Sequence, residues 1–136
     1  MAIKFSNLAS TTLASGVSSS ATSISVTSAS SFPSLGGGDY FYASIGIGSG
    51  SEVVKVAAVS GTTFTVVRGQ DDTTAISHSS DAEVALRVTA ASLNDLSTQA
   101  DTESVSRAGD SMTGDLSFGD NDKATFGAGD DLQIYH

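Results

Sequence analysis

The chain has 136 residues, of which 39% are hydrophobic and 15% are charged, with 14 glycines and one proline. This length fits one compact domain with an extension and excludes a large multidomain enzyme. Cysteine is absent, so neither disulfides nor thiolate metal sites can stabilise the fold. The net charge is -9 and neither half carries a basic patch, which argues against nucleic-acid binding. We expect no membrane segment, because no apolar run approaches the roughly 20 residues that span a bilayer.

Charge is distributed unevenly and suggests a boundary near residue 90. Residues 1–90 carry four basic and six acidic side chains, whereas residues 91–136 carry two basic and nine acidic ones. An acidic segment of this kind stays solvated and resists nonspecific association. We therefore expect a first domain at 1–90 and a differently organised region after it.

The first region predicts short β-strands separated by turns. Residues 23–27 alternate with period two, which is typical of a half-buried strand. Further strands are predicted at 40–45, 52–59, 62–67 and 83–88. Ser60-Gly61 predicts a tight hairpin, because glycine accepts the positive φ of such turns. The fold class is mainly β, with a small antiparallel barrel or sandwich at residues 1–90.

The next segment, 91–108, predicts a short helical neck. Ser92 and Asp95 have the spacing of a loose capping box. Leu93, Leu96 and Ala100 would line one face of the helix, which is too short to be stable alone and would need partner chains. A solvated linker is the alternative.

The last segment, 109–136, predicts very short strands with alternating apolar residues. Each strand offers two or three apolar groups, too few for one chain to close a core. Three chains around a common axis could close one. We thus expect a homotrimer, with its contacts mainly after residue 90 and at Leu93, Leu96, Met112, Leu116 and Phe118.

Possible chemical sites are weak, and we expect no enzyme activity, no cofactor and no metal. His78 lies among serines, where a turn position is favoured over a catalytic base. Residues 46–51 fail the phosphate-loop patterns. Asp120-Asn121-Asp122 is interpreted as a solvated acidic turn in preference to a calcium loop, whose spacing would need another oxygen ligand at Ala124.

Several runs resemble an N-terminal module of tail fibre proteins from tailed bacteriophages, a type common in marine and cyanobacterial phages. They are residues 32–35, 39–43, 52–56, 65–70 and 83–90. The Arg68-Gly69-Gln70 turn is usually followed by an acidic residue, glycine and two threonines, and here Asp72 replaces the glycine. Residues 110–116 are similar to the Gly-Asp-x-Met-Thr-Gly-x-Leu motif of phage fibre shafts.

The resemblance implies a structural protein of the virion, made in the host cytoplasm. Residues 1–90 would dock on tail or baseplate proteins, and 109–136 would begin the fibre shaft. A host receptor would be bound through a distal part beyond His136, because we expect the gene product to continue. Candidate docking residues are Ile3, Phe5, Tyr40, Phe41, Tyr42 and Arg68, although strand aromatics are also expected in the core and Arg68 is expected to stabilise the turn with Asp71 and Asp72. The alternatives are a short tail or neck adaptor and the anchoring end of a polysaccharide-degrading tailspike.

Overall fold

The computed structural model describes residues 2–102, 104, 108–109, 111–129 and 132–135. Two compact units divide the chain, Met1–Ser104 and Val105–His136. The first unit contains a sheet and a helix, and the second contains a hairpin. The division of the chain at residues 90 and 108 stays a prediction.

A six-stranded antiparallel sheet forms the body of the first unit. Its strands are β1 (Ser10–Thr12), β2 (Ser23–Ser25), β3 (Phe41–Ile45), β4 (Glu52–Ser60), β5 (Thr63–Gln70) and β6 (Glu83–Leu86), and a short 3₁₀ turn spans Gly48–Gly50. The order across the sheet is β1-β6-β3-β4-β5-β2. The sheet curls into a half-barrel. The chain is mainly β, which confirms the predicted fold class.

The two outer strands of the sheet meet at one end. Leu13 forms an antiparallel bridge with Val26. The Ala14 N–H donates to the Ser25 carbonyl at 2.9 Å, and the Thr27 N–H donates to the Thr12 carbonyl at 2.9 Å. Backbone groups at the edges of β1 and β2 are thereby paired with each other, which removes a template for edge-to-edge aggregation.

The predicted hairpin is confirmed between β4 and β5. Ser60 pairs with Thr63, which leaves Gly61 and Thr62 as a two-residue turn. Gly61 has a φ of 58°, a conformation that side chains with a Cβ rarely adopt. Glycine at this position therefore permits the tight connection.

Alternating side chains from strands β2 to β6, with residues from the flanking loops, fill the concave face of the sheet. Three aromatic rings lie at its centre, with Phe32 stacked on Phe41 at 5.6 Å and Phe64 edge-on to both at 5.1 and 5.8 Å. Fully buried aliphatic side chains surround them, namely Leu13, Ile24, Val26, Ile45, Val54, Val56 and Val84. The strand predicted at 83–88 ends at Leu86, and Val88 is exposed because the chain leaves the sheet there to enter a helix.

Strand β3 is buried on both faces, because the N-terminal segment and a helix cover its convex side. Ile3 forms a parallel bridge with Tyr40, and the Lys4 N–H donates to the Tyr40 carbonyl at 2.8 Å. Ala2 N–H donates to an Asp39 carboxylate oxygen at 3.2 Å. The N-terminal segment is therefore held by the sheet.

Helix α1 (Ala90–Thr102) begins with a different cap from the predicted one. The Ser92 N–H donates to the Thr89 hydroxyl at 3.1 Å, and the Thr89 N–H donates to the Ser92 hydroxyl at 2.8 Å. The predicted Ser92–Asp95 capping box was wrong, because Asp95 bonds two tyrosines of the sheet instead. The predicted helix is confirmed, and it ends at Thr102.

The second unit contains an antiparallel hairpin of β7 (Lys123–Phe126) and β8 (Leu132–Tyr135). The turn before it is closed by Asp122, whose carboxylate accepts the Gly119 N–H at 3.0 Å. Within the described part of the chain, no helix is long and apolar enough to cross a membrane.

We predict that Asp95→Ala lowers the free energy of unfolding by about 1–3 kcal/mol, because two tyrosine hydroxyls lose their acceptor. Hydrogen exchange should also become faster in α1 and in residues 2–5. Asn94→Ala is the control, because Asn94 is adjacent to Asp95 and exposed. It should change the free energy of unfolding by less than about 0.5 kcal/mol. Equal stability of the two variants would contradict the docking of α1 through Asp95.

Candidate functional site

Most of the predicted docking residues are buried within the first unit. Ile3, Tyr40, Phe41, Tyr42 and the Arg68 side chain are buried, whereas Phe5 is 43% exposed. The Phe41 ring belongs to the central core, so docking through it would require the half-barrel to open. Of this set, Phe5 offers free surface to a partner.

Arg68 is the centre of a buried network whose acidic partner is Glu52. The guanidinium donates from Nε to Glu52 Oε1 and from Nη2 to Glu52 Oε2, both at 2.8 Å. Nη1 donates to the Ser18 carbonyl at 2.6 Å, and Nη2 also reaches the Ile76 carbonyl at 2.6 Å. Arg68 was expected to stabilise the turn with Asp71 and Asp72, but the bonds of its guanidinium go to Glu52 and to the carbonyls of other segments.

Glu52 is completely buried and accepts hydrogen bonds from three further groups. The backbone N–H groups of Gly69 and Ile76 donate at 2.9 and 3.3 Å, and the His78 ring lies 2.9 Å away through Nε2. We call Glu52, Arg68 and His78 with these backbone groups the Glu52 network.

Opposing effects act on the Glu52 carboxyl. Burial alone raises its pKa, but the Arg68 guanidinium, the two backbone N–H groups and His78 stabilise the charged form more strongly. The result is a pKa lowered from 4.5 to about 2. Glu52 is therefore ionised at neutral pH.

We interpret the Glu52 network as a structural element and not as a reaction site. Its three side chains are at most 7% exposed, and every polar contact goes to another part of the same unit. A substrate would have to displace Arg68 to reach the carboxylate. His78 lies in the loop before β6, and its ring is a buried member of the network.

A second polar cluster joins α1 to β3. Asp95 accepts hydrogen bonds from the Tyr40 and Tyr42 hydroxyls, both at 2.8 Å. Gln99 donates to the Tyr40 hydroxyl at 3.0 Å and accepts the Ile3 N–H at 3.3 Å. Burial and the Asp95 carboxylate raise the pKa of Tyr40 to about 12. We call Tyr40, Tyr42, Asp95 and Gln99 the tyrosine cluster.

The residues predicted to contact other copies are exposed in the single chain. Leu93, Leu96, Met112, Leu116 and Phe118 each leave about half of their surface in water. None of them belongs to a buried cluster of the described residues. Their availability agrees with a contact role, which stays a prediction.

The β7–β8 hairpin has one polar and one apolar face. Register places Ala124 opposite Ile134 and Phe126 opposite Leu132, and these four residues form what we call the hairpin apolar face. Phe126, Leu132 and Ile134 are each more than half exposed. The sequence pattern had indicated this alternation.

An open groove of about 570 Å³ adjoins the hairpin apolar face. Leu116, Phe118, Phe126 and Ile134 contribute its apolar lining, and Asp120 and Asp122 lie at its edge. A two-stranded hairpin is marginally stable alone in water. Burial of this surface against another chain would supply the missing core at roughly 25 cal/mol per Å².

No metal site is evident where the structure describes the chain, because no three His, Cys, Asp or Glu side chains there are grouped closely enough to hold an ion. Asp120, Asn121 and Asp122 form a tight turn in which Asn121 has a φ of 71°. The interpretation as an acidic turn agrees with this geometry.

We predict that stability falls as the pH drops from 4.5 toward 2. A carboxyl whose pKa is lowered on folding stabilises the protein above its unfolded pKa, and the contribution is lost as pH falls through the folded value. For Glu52 the contribution is about 3 kcal/mol. Urea unfolding across this pH range should measure it.

Glu52→Gln should remove this pH dependence and lower the free energy of unfolding by about 3–5 kcal/mol at neutral pH, because Arg68 is left buried without its counter-charge. Glu83→Gln is the control, since Glu83 pairs with the half-exposed Arg87 at the surface and should contribute less than about 1 kcal/mol. An acid dependence that is unchanged in the Glu52 variant would contradict the assignment.

From the exposed hairpin apolar face we predict that the chain self-associates. A charge placed on that face should weaken the association. Ile134→Asp should raise the dissociation constant at least about tenfold, which corresponds to about 1.4 kcal/mol. Gln133→Asp adds the same charge at the adjacent position on the polar face and should have little effect. Sedimentation of both variants over a concentration series decides this, and equal weakening would contradict a specific apolar contact.

Comparison with known proteins does not assign the chain to a family. No family model matches it. A search of curated proteins likewise gave no match. The function is therefore inferred from the residues and their geometry.

Proposed function

We propose that this chain is the virion-proximal part of a trimeric tail fibre of a tailed bacteriophage. Residues 1–90 anchor the fibre to a tail or baseplate protein, and residues from 109 onward begin the shaft. The module carries no chemistry and acts as an attachment element for host adhesion. Three linked copies provide avidity, so that each docking contact can be weak.

The observation that best supports this proposal is the uncovered hairpin apolar face. One chain leaves Phe126, Leu132 and Ile134 in water, and further copies of the same segment would cover them. The sequence motif at 110–116 resembles that of phage fibre shafts, and Met112 and Leu116 would face the other copies. Acidic side chains on the remaining surface would keep such a shaft soluble.

The first unit suits an anchoring role because it is closed and internally braced. Its charged interior is neutralised by the Glu52 network, and its sheet edges are paired with each other. Such a module can anchor a fibre without exposing an unpaired strand edge to aggregation. Phe5, next to the Lys4–Asp39 ion pair, is the docking residue with free apolar surface.

We predict that Phe5→Ser reduces the number of fibres on otherwise intact virions, because the docking surface loses its aromatic contact. Val67→Ser is the matched control, since Val67 is similarly exposed on β5. Fibres should be counted by electron microscopy, with melting temperatures compared to show that both variants fold. A normal complement of fibres with Phe5→Ser would place docking elsewhere.

A further inference from the structure

Helix α1 turns its polar face toward its own module. Asp95 bonds Tyr42 in β3 and Tyr40 just before it, Gln99 bonds Tyr40, and Ser92 is fully buried beside Thr89. The Asp71 carboxylate accepts the Ala91 N–H at 3.1 Å, which fixes the start of the helix as well. The rotation of α1 about its axis is therefore set by four contacts within one chain.

Ala91 packs against the module, but three other apolar residues of α1 do not. Leu93 is 55% exposed and Leu96 is 46% exposed, and Ala100 is exposed one turn further along. A surface helix usually buries its apolar stripe against the core and leaves its polar face in water. Helix α1 instead leaves this stripe in water together with Asn94, Ser97, Thr98 and Asp101. We call Leu93, Leu96 and Ala100 the outward stripe.

Spacing within the outward stripe fits contact between parallel helices. Its residues are separated by three and four positions, which is the a-d-a pattern of a coiled-coil seam. Three seam positions are too few to hold helices together alone, because helices of this length are marginal in isolation. The stripe would add to association that the rest of the chain provides.

Charge makes a second copy of the same helix a suitable occupant. The helix contains no basic residue, and the carboxylate of Asp95 is used by the tyrosine cluster. Asn94, Ser97 and Thr98 beside the stripe are neutral. The second carboxylate of the helix, Asp101, is exposed and follows the last residue of the stripe. The flanks of Leu93 and Leu96 therefore carry no free carboxylate, although the chain as a whole is strongly acidic.

We propose that the outward stripe contacts the same stripe of the other copies while the tyrosine cluster stays closed. Each helix then lies between its own β module and the helices of its partners, so that the modules surround a central helical neck. This arrangement rests on the proposed trimer and adds the position of the modules around it. The convex face of each sheet is directed toward the neck.

Single-cysteine cross-linking tests the arrangement directly, because the chain has no cysteine of its own. Leu96→Cys places a thiol on the outward stripe, and Asn94→Cys places one on the exposed flank of the same helix. Under mild oxidation we expect Leu96→Cys to form disulfide-linked dimers at least about tenfold faster, since a disulfide needs Cα atoms within about 7 Å. Hydrogen exchange of the cross-linked protein should still show residues 2–5 protected.

The outcomes separate this inference from the proposed trimer. The protein could have the mass of three chains while both variants cross-link equally slowly, or while Asn94→Cys cross-links faster. Either result would overturn the helical contact and leave the proposed trimer unaffected. Efficient cross-linking of Leu96→Cys with loss of protection in residues 2–5 would show that α1 leaves the module, which would overturn the placement of the modules. A monomeric protein would overturn both proposals.

Discussion

The first unit depends on one buried carboxylate. Glu52 begins β4, yet it is bonded to the end of β5 through Gly69 and to the long loop before β6 through Ile76 and His78. Arg68 extends the same network to the segment between β1 and β2. The loop before β6 and the segment between β1 and β2 are thereby held to the β4–β5 pair by two buried charges. A buried pair of this kind is costly unless every donor and acceptor is used, as it is here.

The strands of the sheet could be predicted from the alternation of apolar and polar residues. The same alternation places two charged residues on the interior face, which was not predicted. The β4–β5 hairpin follows from Ser60-Gly61 and from the strands on both sides. Glu52 shares its face with Val54 and Val56, and Arg68 shares its face with Phe64 and Val66, so period two places both charges in the interior. Charged residues are usually exposed, and that expectation directed Arg68 to the surface turn. Pairing of the two requires the β4–β5 register, which a single sequence does not specify.

Helix α1 shows where sequence reasoning reaches its limit. Its existence and its apolar stripe could be predicted from Leu93, Leu96 and Ala100. The cap at Thr89 and the tyrosine cluster could not, because Asp95 meets Tyr40 and Tyr42 across more than 50 residues of chain. Tyr40 and Tyr42 were candidates for docking because aromatic residues are enriched at interfaces. In the structure they form an internal interface between the sheet and the helix.

Self-association of the chain is the claim on which the fibre proposal depends. The half-barrel buries its own core, whereas the hairpin apolar face and the outward stripe both lack cover in one chain. Native mass spectrometry of the unmodified protein tests this most directly. The proposal predicts a species of about 41 kDa, three times the chain mass of 13.6 kDa. A stable species of 13.6 kDa at micromolar concentration would contradict it.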